Sequence, residues 1–348
     1  MPRFLILLFG IFCAVSQTWA QIPDSLLTNP VHGLKTSEGT LRVYPISSRM
    51  NYIYLRPPNS RYLTFPLKNY DRYFRTTFRG DNIPYIGAMI IGTGFLVDID
   101  QEITKQTMKL GDRWGIKHTH TQKPVVKWSF KLGDKTIRTP LNLPHDAETA
   151  MYFLGDGILH GTIAASFWSY GQLAGDERAI QTGTQCVEAI LCTGIAIQVL
   201  KHSFGRETAA VATHPGGRWR FFPDPVKYGD NVPYYDAMPS GHVATLMATV
   251  TVISENYPEQ KWIRPTGYSL LGALMFAMIN NGVHWASDYP LGISIGYTFA
   301  KIVSSRGKTV IEKPLEGHAA RLQSLWQHTQ ALPYVRNGGG GFQLVYRL

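Results

Sequence analysis

Six uncharged runs of helix length punctuate the chain, at residues 82–97, 157–175, 189–200, 243–254, 265–283 and 289–300. Each is rich in small and aliphatic side chains, the pattern of helices that bury most of their surface. Several fall short of the roughly 20 apolar residues that cross a bilayer unaided. Periodicity leaves two readings open: transmembrane helices with polar faces turned inward, or buried helices of a soluble bundle. After the first run, residues 111–143 are charged and hold two strand-like stretches, 125–132 and 136–138. Residues 213–236 are rich in Gly, Pro and aromatics and read as a long functional loop.

The ends of the chain have a different pattern. Pro2 and Arg3, an apolar run over 4–15 and Thr18-Trp19-Ala20 predict a secretory signal over residues 1–20, and hence export to a periplasm or cell envelope. Residues 21–80 carry Tyr52, Tyr54, Pro57, Pro58, Tyr62 and Tyr70 with no lasting helical period, which predicts an irregular or β-containing extension. A helical domain is expected over 81–305. Residues 306–348 form a tail in which a glycine run at 338–341 precedes a strand-like end.

Composition narrows the function. With 44% hydrophobic and 17% charged residues among 348, the chain has material for a core and is not globally disordered. The net charge of +10 favours anionic partners, such as phosphorylated substrates or a membrane surface. There is no zinc-finger spacing and no basic helix, so nucleic acid is not the expected partner. Beyond Cys13 in the signal, Cys186 and Cys192 sit six apart on one predicted helix, too far to bridge. Nothing in the pattern fixes an oligomeric state.

Three groups of residues carry candidate chemistry. Pro239-Ser240-Gly241-His242 stands where a loop enters a helix, so that free backbone N–H groups and the helix dipole form an anion site. His284 and Asp288 are four apart and share a helical face, an arrangement in which the carboxylate fixes the imidazole tautomer and frees the other nitrogen. Lys201 closes the run at 189–200, a cation beside a helix end. Taken singly, these read equally well as a helix start, a capping pair and a dipole partner. No further His or carboxylate spacing completes a metal site.

In this order the three groups resemble the type 2 phosphatidic acid phosphatase and vanadium haloperoxidase superfamily, with a motif core over 151–304. The resemblance implies a mainly α fold, a helical bundle with the site between helices. It implies His284 as nucleophile, Asp288 as its orienter, His242 as general acid, and Lys201, Ser240 and Gly241 as phosphate ligands. It further implies hydrolysis of phosphate monoesters or pyrophosphates with no cofactor, and the expected export together with the apolar helices beside the site suits lipid phosphates or pyrophosphates. Vanadate enters only in a haloperoxidase alternative; a non-catalytic phospholipid-binding envelope protein is the other. Two family arginines are replaced, by Thr208 and Met278. Arg206 is the expected substitute, with Arg218, Arg220, Asn280 and Asn281 as further candidates to touch phosphate.

Overall fold

The computed structural model describes residues 43–47, 50–57, 61–118, 123–132, 135–144, 147–312, 329–336 and 339–346. The expected signal at 1–20 lies outside the described residues. Two units organise the chain, one holding Tyr54–Gly307 and the other holding the segments Thr36–Ile53 and Lys308–Leu348. The fold is mainly helical, as the resemblance implies.

The helical unit contains α1 (Arg61–Thr77), α2 (Ile83–Arg113), a hairpin of β3 (Lys123–Leu132) and β4 (Lys135–Leu143), α3 (Ala147–Phe153), α4 (Gly157–Ala174), α5 (Glu177–Phe204), the short α6 (Pro225–Asp230), α7 (Gly241–Asn256), α8 (Ile263–Asn280) and α9 (Tyr289–Ser304). In the second unit β1 (Val43–Pro45), β2 (Met50–Tyr54) and β5 (Lys308–Glu312) form a sheet in the order β1-β2-β5. There β6 (Thr329–Arg336) pairs antiparallel with β7 (Gly339–Tyr346).

Local chemistry explains where the helices stop and start. Asp156 accepts a hydrogen bond from Ile158 N at 2.7 Å and starts α4. Gly175, at φ +61°, ends α4 in the left-handed conformation that glycine adopts without strain. One residue on, Asp176 caps α5 through Ala179 N at 3.0 Å. The two helices therefore fold back on each other, and Gly183 lets them touch: a Cβ there would lie 2.5 Å from Ala164 O.

The core sits between α7, α8 and α9. Val243, Leu246, Met247 and Val250 from α7 pack with Leu271, Leu274 and Met278 from α8, with Tyr289 from α9 and Ile103 from α2. Helices α7 and α9 approach at backbone distance. A Cβ on Gly292 would stand 2.6 Å from Ser240 O, and one on Gly296 would stand 2.2 Å from Ala244 O. Gly292 and Gly296 are four apart, as are Ser240 and Ala244, so one glycine stripe seats on one backbone stripe.

Two expectations change. Residues 61–77, taken for irregular chain, form α1 despite an internal proline, Pro66. Tertiary contacts outweigh weak local propensity here: Asn69 is fully buried and donates to Glu188 Oε1 at 2.6 Å, Tyr70 donates to Cys192 O at 2.7 Å, and Tyr73 stacks on Phe299 at 4.6 Å. Helix α2 also continues well beyond residue 97, to Arg113, with Asp100, Ile103, Thr104 and Gly111 buried along its second half. Cys186 and Cys192 are buried free thiols.

Candidate active site

The start of α7 and the turn before α9 are tied by main chain. Ser240 N donates to Asp288 O at 3.0 Å. Ser240 caps α7, accepting from Val243 N at 3.5 Å, and its hydroxyl faces Met278 Sδ at 4.0 Å. Gly282, at φ +69°, ends α8 and turns the chain so that His284 comes back over this junction. The result brings the His242 and His284 rings to 6.5 Å between centroids, 68° apart in plane. One phosphoryl group touched by both would span that gap.

His284 is 2% exposed, and its Nδ1 lies 3.3 Å from Asp288 Oδ2. With Nδ1–H donating to the carboxylate, the lone pair is on Nε2, to which no described residue donates. Asp288 Oδ2 also accepts from Trp285 N at 2.8 Å, while Oδ1 accepts from Arg206 Nη1 at 2.7 Å. Burial alone would raise this carboxyl. The Arg206 guanidinium, His284 and the Trp285 N–H outweigh burial and hold it below the usual carboxylate range.

His242 packs against Tyr152 of α3, at 4.9 Å between rings, and against Gly155, where a Cβ would stand 2.4 Å from His242 Cβ. Burial first, then the charges of Asp156 and Asp236, push the Tyr152 phenol up to about 12, so it stays protonated. Asp236 also binds Lys201 Nζ at 2.5 Å and accepts from the Tyr228 hydroxyl. Lys201 lies one helical turn beyond Ile197, whose Cγ2 would be 3.5 Å from a Cβ on Gly241. The Lys201 charge is shared with Asp236.

The arginine expectations need correcting. Arg206 is fully buried, and its guanidinium is spent on protein acceptors. Nε and Nη2 donate to Gly216 O (3.1 and 2.6 Å), Nη2 to Asp100 Oδ2 (2.8 Å), and Nη1 to Ser287 Oγ (2.6 Å) and Asp288 Oδ1. No donor remains for phosphate, so Arg206 stands behind the site rather than in it. Arg220 is likewise engaged, by Glu207 Oε1 at 2.6 Å and Tyr234 O at 3.2 Å, and Arg218 is exposed. Met278 is fully buried in the core against Ser240, and Thr208 N is held by Pro233 O. Asn280 is tied up by His118 and Lys117 O. Asn281 is 4% exposed, and its Nδ2 has no hydrogen-bond partner among the described residues, the state of a donor awaiting an acceptor.

Two residues escaped sequence reasoning. Asp100 is fully buried on α2 and accepts from Arg206, from Ser287 N at 3.1 Å and from the Ser287 hydroxyl. Its signal was a carboxylate just past an apolar run. Glu207 is fully buried and gathers the loop: it accepts from Thr213 N (2.9 Å), Arg218 N (3.0 Å) and Arg220, while its own carbonyl accepts from Trp285 Nε1 at 2.8 Å. Among the described residues, no group of three His, Cys, Asp or Glu converges as a metal site.

Burial would raise the Glu207 carboxyl, but the Thr213 and Arg218 N–H groups, Arg220 and the Thr213 hydroxyl pull it down to about 2. A carboxyl depressed from 4.5 stabilises the fold fully above that pH and loses the contribution as pH falls toward 2. The parent should therefore exceed Glu207→Gln in unfolding free energy by on the order of 3 kcal/mol above about pH 5. In denaturant titrations that gap should shrink steadily on acidification below about pH 4.5. A gap indifferent to pH would show that the charge is not what holds the loop.

No curated protein and no solved structure matches the chain. A family model described as the PAP2 superfamily matches residues 183–311, the stretch that carries Lys201, Arg206, Ser240, His242, His284 and Asp288. Over residues 183–311 the chain is similar to the PAP2 superfamily, a helical family that generally contains phosphatases.

Proposed function

We propose that the chain is an exported phosphatase that hydrolyses phosphate monoesters or pyrophosphates, those of lipids in particular, through a phosphohistidine at His284. The observation that carries this reading is the pair of imidazoles 6.5 Å apart, one of them backed by a buried carboxylate. His284 Nε2 gives its electron pair to phosphorus as the bond to the leaving oxygen breaks, and His242 gives that oxygen a proton. Water then attacks the phosphohistidine, His242 takes the proton, and inorganic phosphate leaves. The start of α7, Lys201 and the Asn281 amide hold the equatorial oxygens, so charge is stabilised by N–H dipoles with one shared cation.

A lipid substrate is supported by the outer surfaces of two helices. Segments Gly80–Arg113 and Glu177–Phe204 are long and apolar enough to cross a membrane. Ile90, Ile91 and Phe95 on α2 are exposed, as are Leu191, Ile195 and Val199 on α5, which recur every four residues along one face. An acyl or prenyl chain could remain in such surroundings while its phosphate enters the site.

The test is a panel of lipid phosphates, pyrophosphates and a soluble aryl phosphate offered to purified protein in excess chelator. Phosphate release is expected to persist there, and acid-labile phosphate should be found on His284 by mass spectrometry after rapid quenching. Strict dependence on a divalent ion, or no turnover of any substrate, would sink the proposal. A halogenated product from vanadate, halide and peroxide would point to the haloperoxidase branch instead.

A further inference from the structure

We infer that Arg206 and Asp100 are positioning residues that set the attack geometry of His284 through Asp288, without touching substrate; the inference rests on the hydrolytic reading above. Three separate elements meet at this cluster: Asp100 from α2, Arg206 from the chain just after α5, and Ser287-Asp288 from the turn before α9. All three charged side chains are 0% exposed. The Arg206 guanidinium lies 4.8 Å from the Trp219 ring and 5.4 Å from that of Trp285, which shield it from water.

Two carboxylates and one guanidinium buried together are a poor device for stability, because desolvation offsets their attraction and apolar side chains would serve as well. They are a good device for orientation. Arg206 takes Oδ1 of Asp288, which leaves Oδ2 for the Trp285 N–H and the His284 imidazole. Asp100 holds Ser287 by its N–H and its hydroxyl, and Arg206 holds the same hydroxyl oxygen, so the peptide carrying Asp288 is fixed from two directions. Without the clamp the Asp288 carboxyl can turn about its broad terminal torsion, and the imidazole loses its fixed tautomer and direction. A lysine at 206 would carry the charge but not the fork that reaches Asp288, Ser287, Asp100 and Gly216 together.

The test compares Arg206→Lys with the parent on an aryl phosphate, in the parent background and in Asp288→Asn. If Arg206 acts through Asp288, kcat falls by about a hundredfold with KM within about twofold, and the same change costs less than about threefold once Asp288 is Asn. Inorganic phosphate binding by calorimetry should stay within about threefold, since no phosphate contact is lost. A tenfold loss of phosphate affinity, a rise in KM with kcat kept, or an equal loss in both backgrounds would overturn the clamp. If Arg206→Lys does not fold, Asp100→Asn with and without Asp288→Asn gives the same cycle. A parent without turnover sinks the hydrolytic reading; an active parent with an unaffected Arg206→Lys sinks the clamp alone.

Discussion

His284→Ala should lower phosphate release by about 10⁴-fold or more while moving the melting midpoint by only a few degrees. The kinetic half follows from chemistry: no other described side chain shares both the buried carboxylate and the 6.5 Å relation to His242. The structural half follows from the bonding of Asp288. Losing the imidazole removes one of its partners, but Oδ1 keeps Arg206 and Oδ2 keeps the Trp285 N–H, so no charge is left bare. Steady-state kinetics and a thermal melt on the same preparation check both halves. Retained activity would reject His284 as nucleophile, and a collapsed melt would show that the ring is part of the core.

Gly296→Ala should cost about 2–3 kcal/mol of stability, large for one methyl group. The added carbon would stand 2.2 Å from Ala244 O, 2.9 Å from Ala244 C and 3.1 Å from Ala244 Cα. All three are backbone atoms, which no change of rotamer can clear, so α7 and α9 must separate. That movement is transmitted one turn along the pair to Gly292 and Ser240, and thus to the start of α7, the proposed phosphate-binding end. Activity should fall together with stability. Gly194→Ala is the control: it lies inside α5 with nothing within 4 Å of the added carbon, and the gain in helix propensity should stabilise by up to about 1 kcal/mol. Denaturant unfolding of the two variants measures the contrast, and equal effects would refute the close-packing account.

Much of the candidate site was legible in the sequence because its chemistry is local. Ser240-Gly241-His242 is legible as a helix start, and Ser240 does cap α7. His284 and Asp288, expected on one helical face, meet instead across the irregular turn before α9, which has only a 3-10 turn at Ala286–Asp288. The apolar runs likewise located α2, α4, α5, α7, α8 and α9, though not the short α3 and α6, and the strand-like stretches became the β3-β4 hairpin. What was not legible depends on distant partners. Arg206 reads as a phosphate ligand until Asp100, 106 positions away, is seen bonded to it. Helix α1 is aromatic-rich and interrupted by proline, and distant partners such as Glu188, Cys192, Phe299, Ser305 and Arg306 give it a reason to be helical. Asp100 itself escaped notice because α2 outlasts the apolar run that announced it.

The hydrogen bond from Ser240 N to Asp288 O has one more implication. It joins the segment bearing the proposed acid to the segment bearing the proposed nucleophile through peptide groups, so the main chain sets the spacing of the two backbones while the clamp on Asp288 sets the direction of the His284 ring.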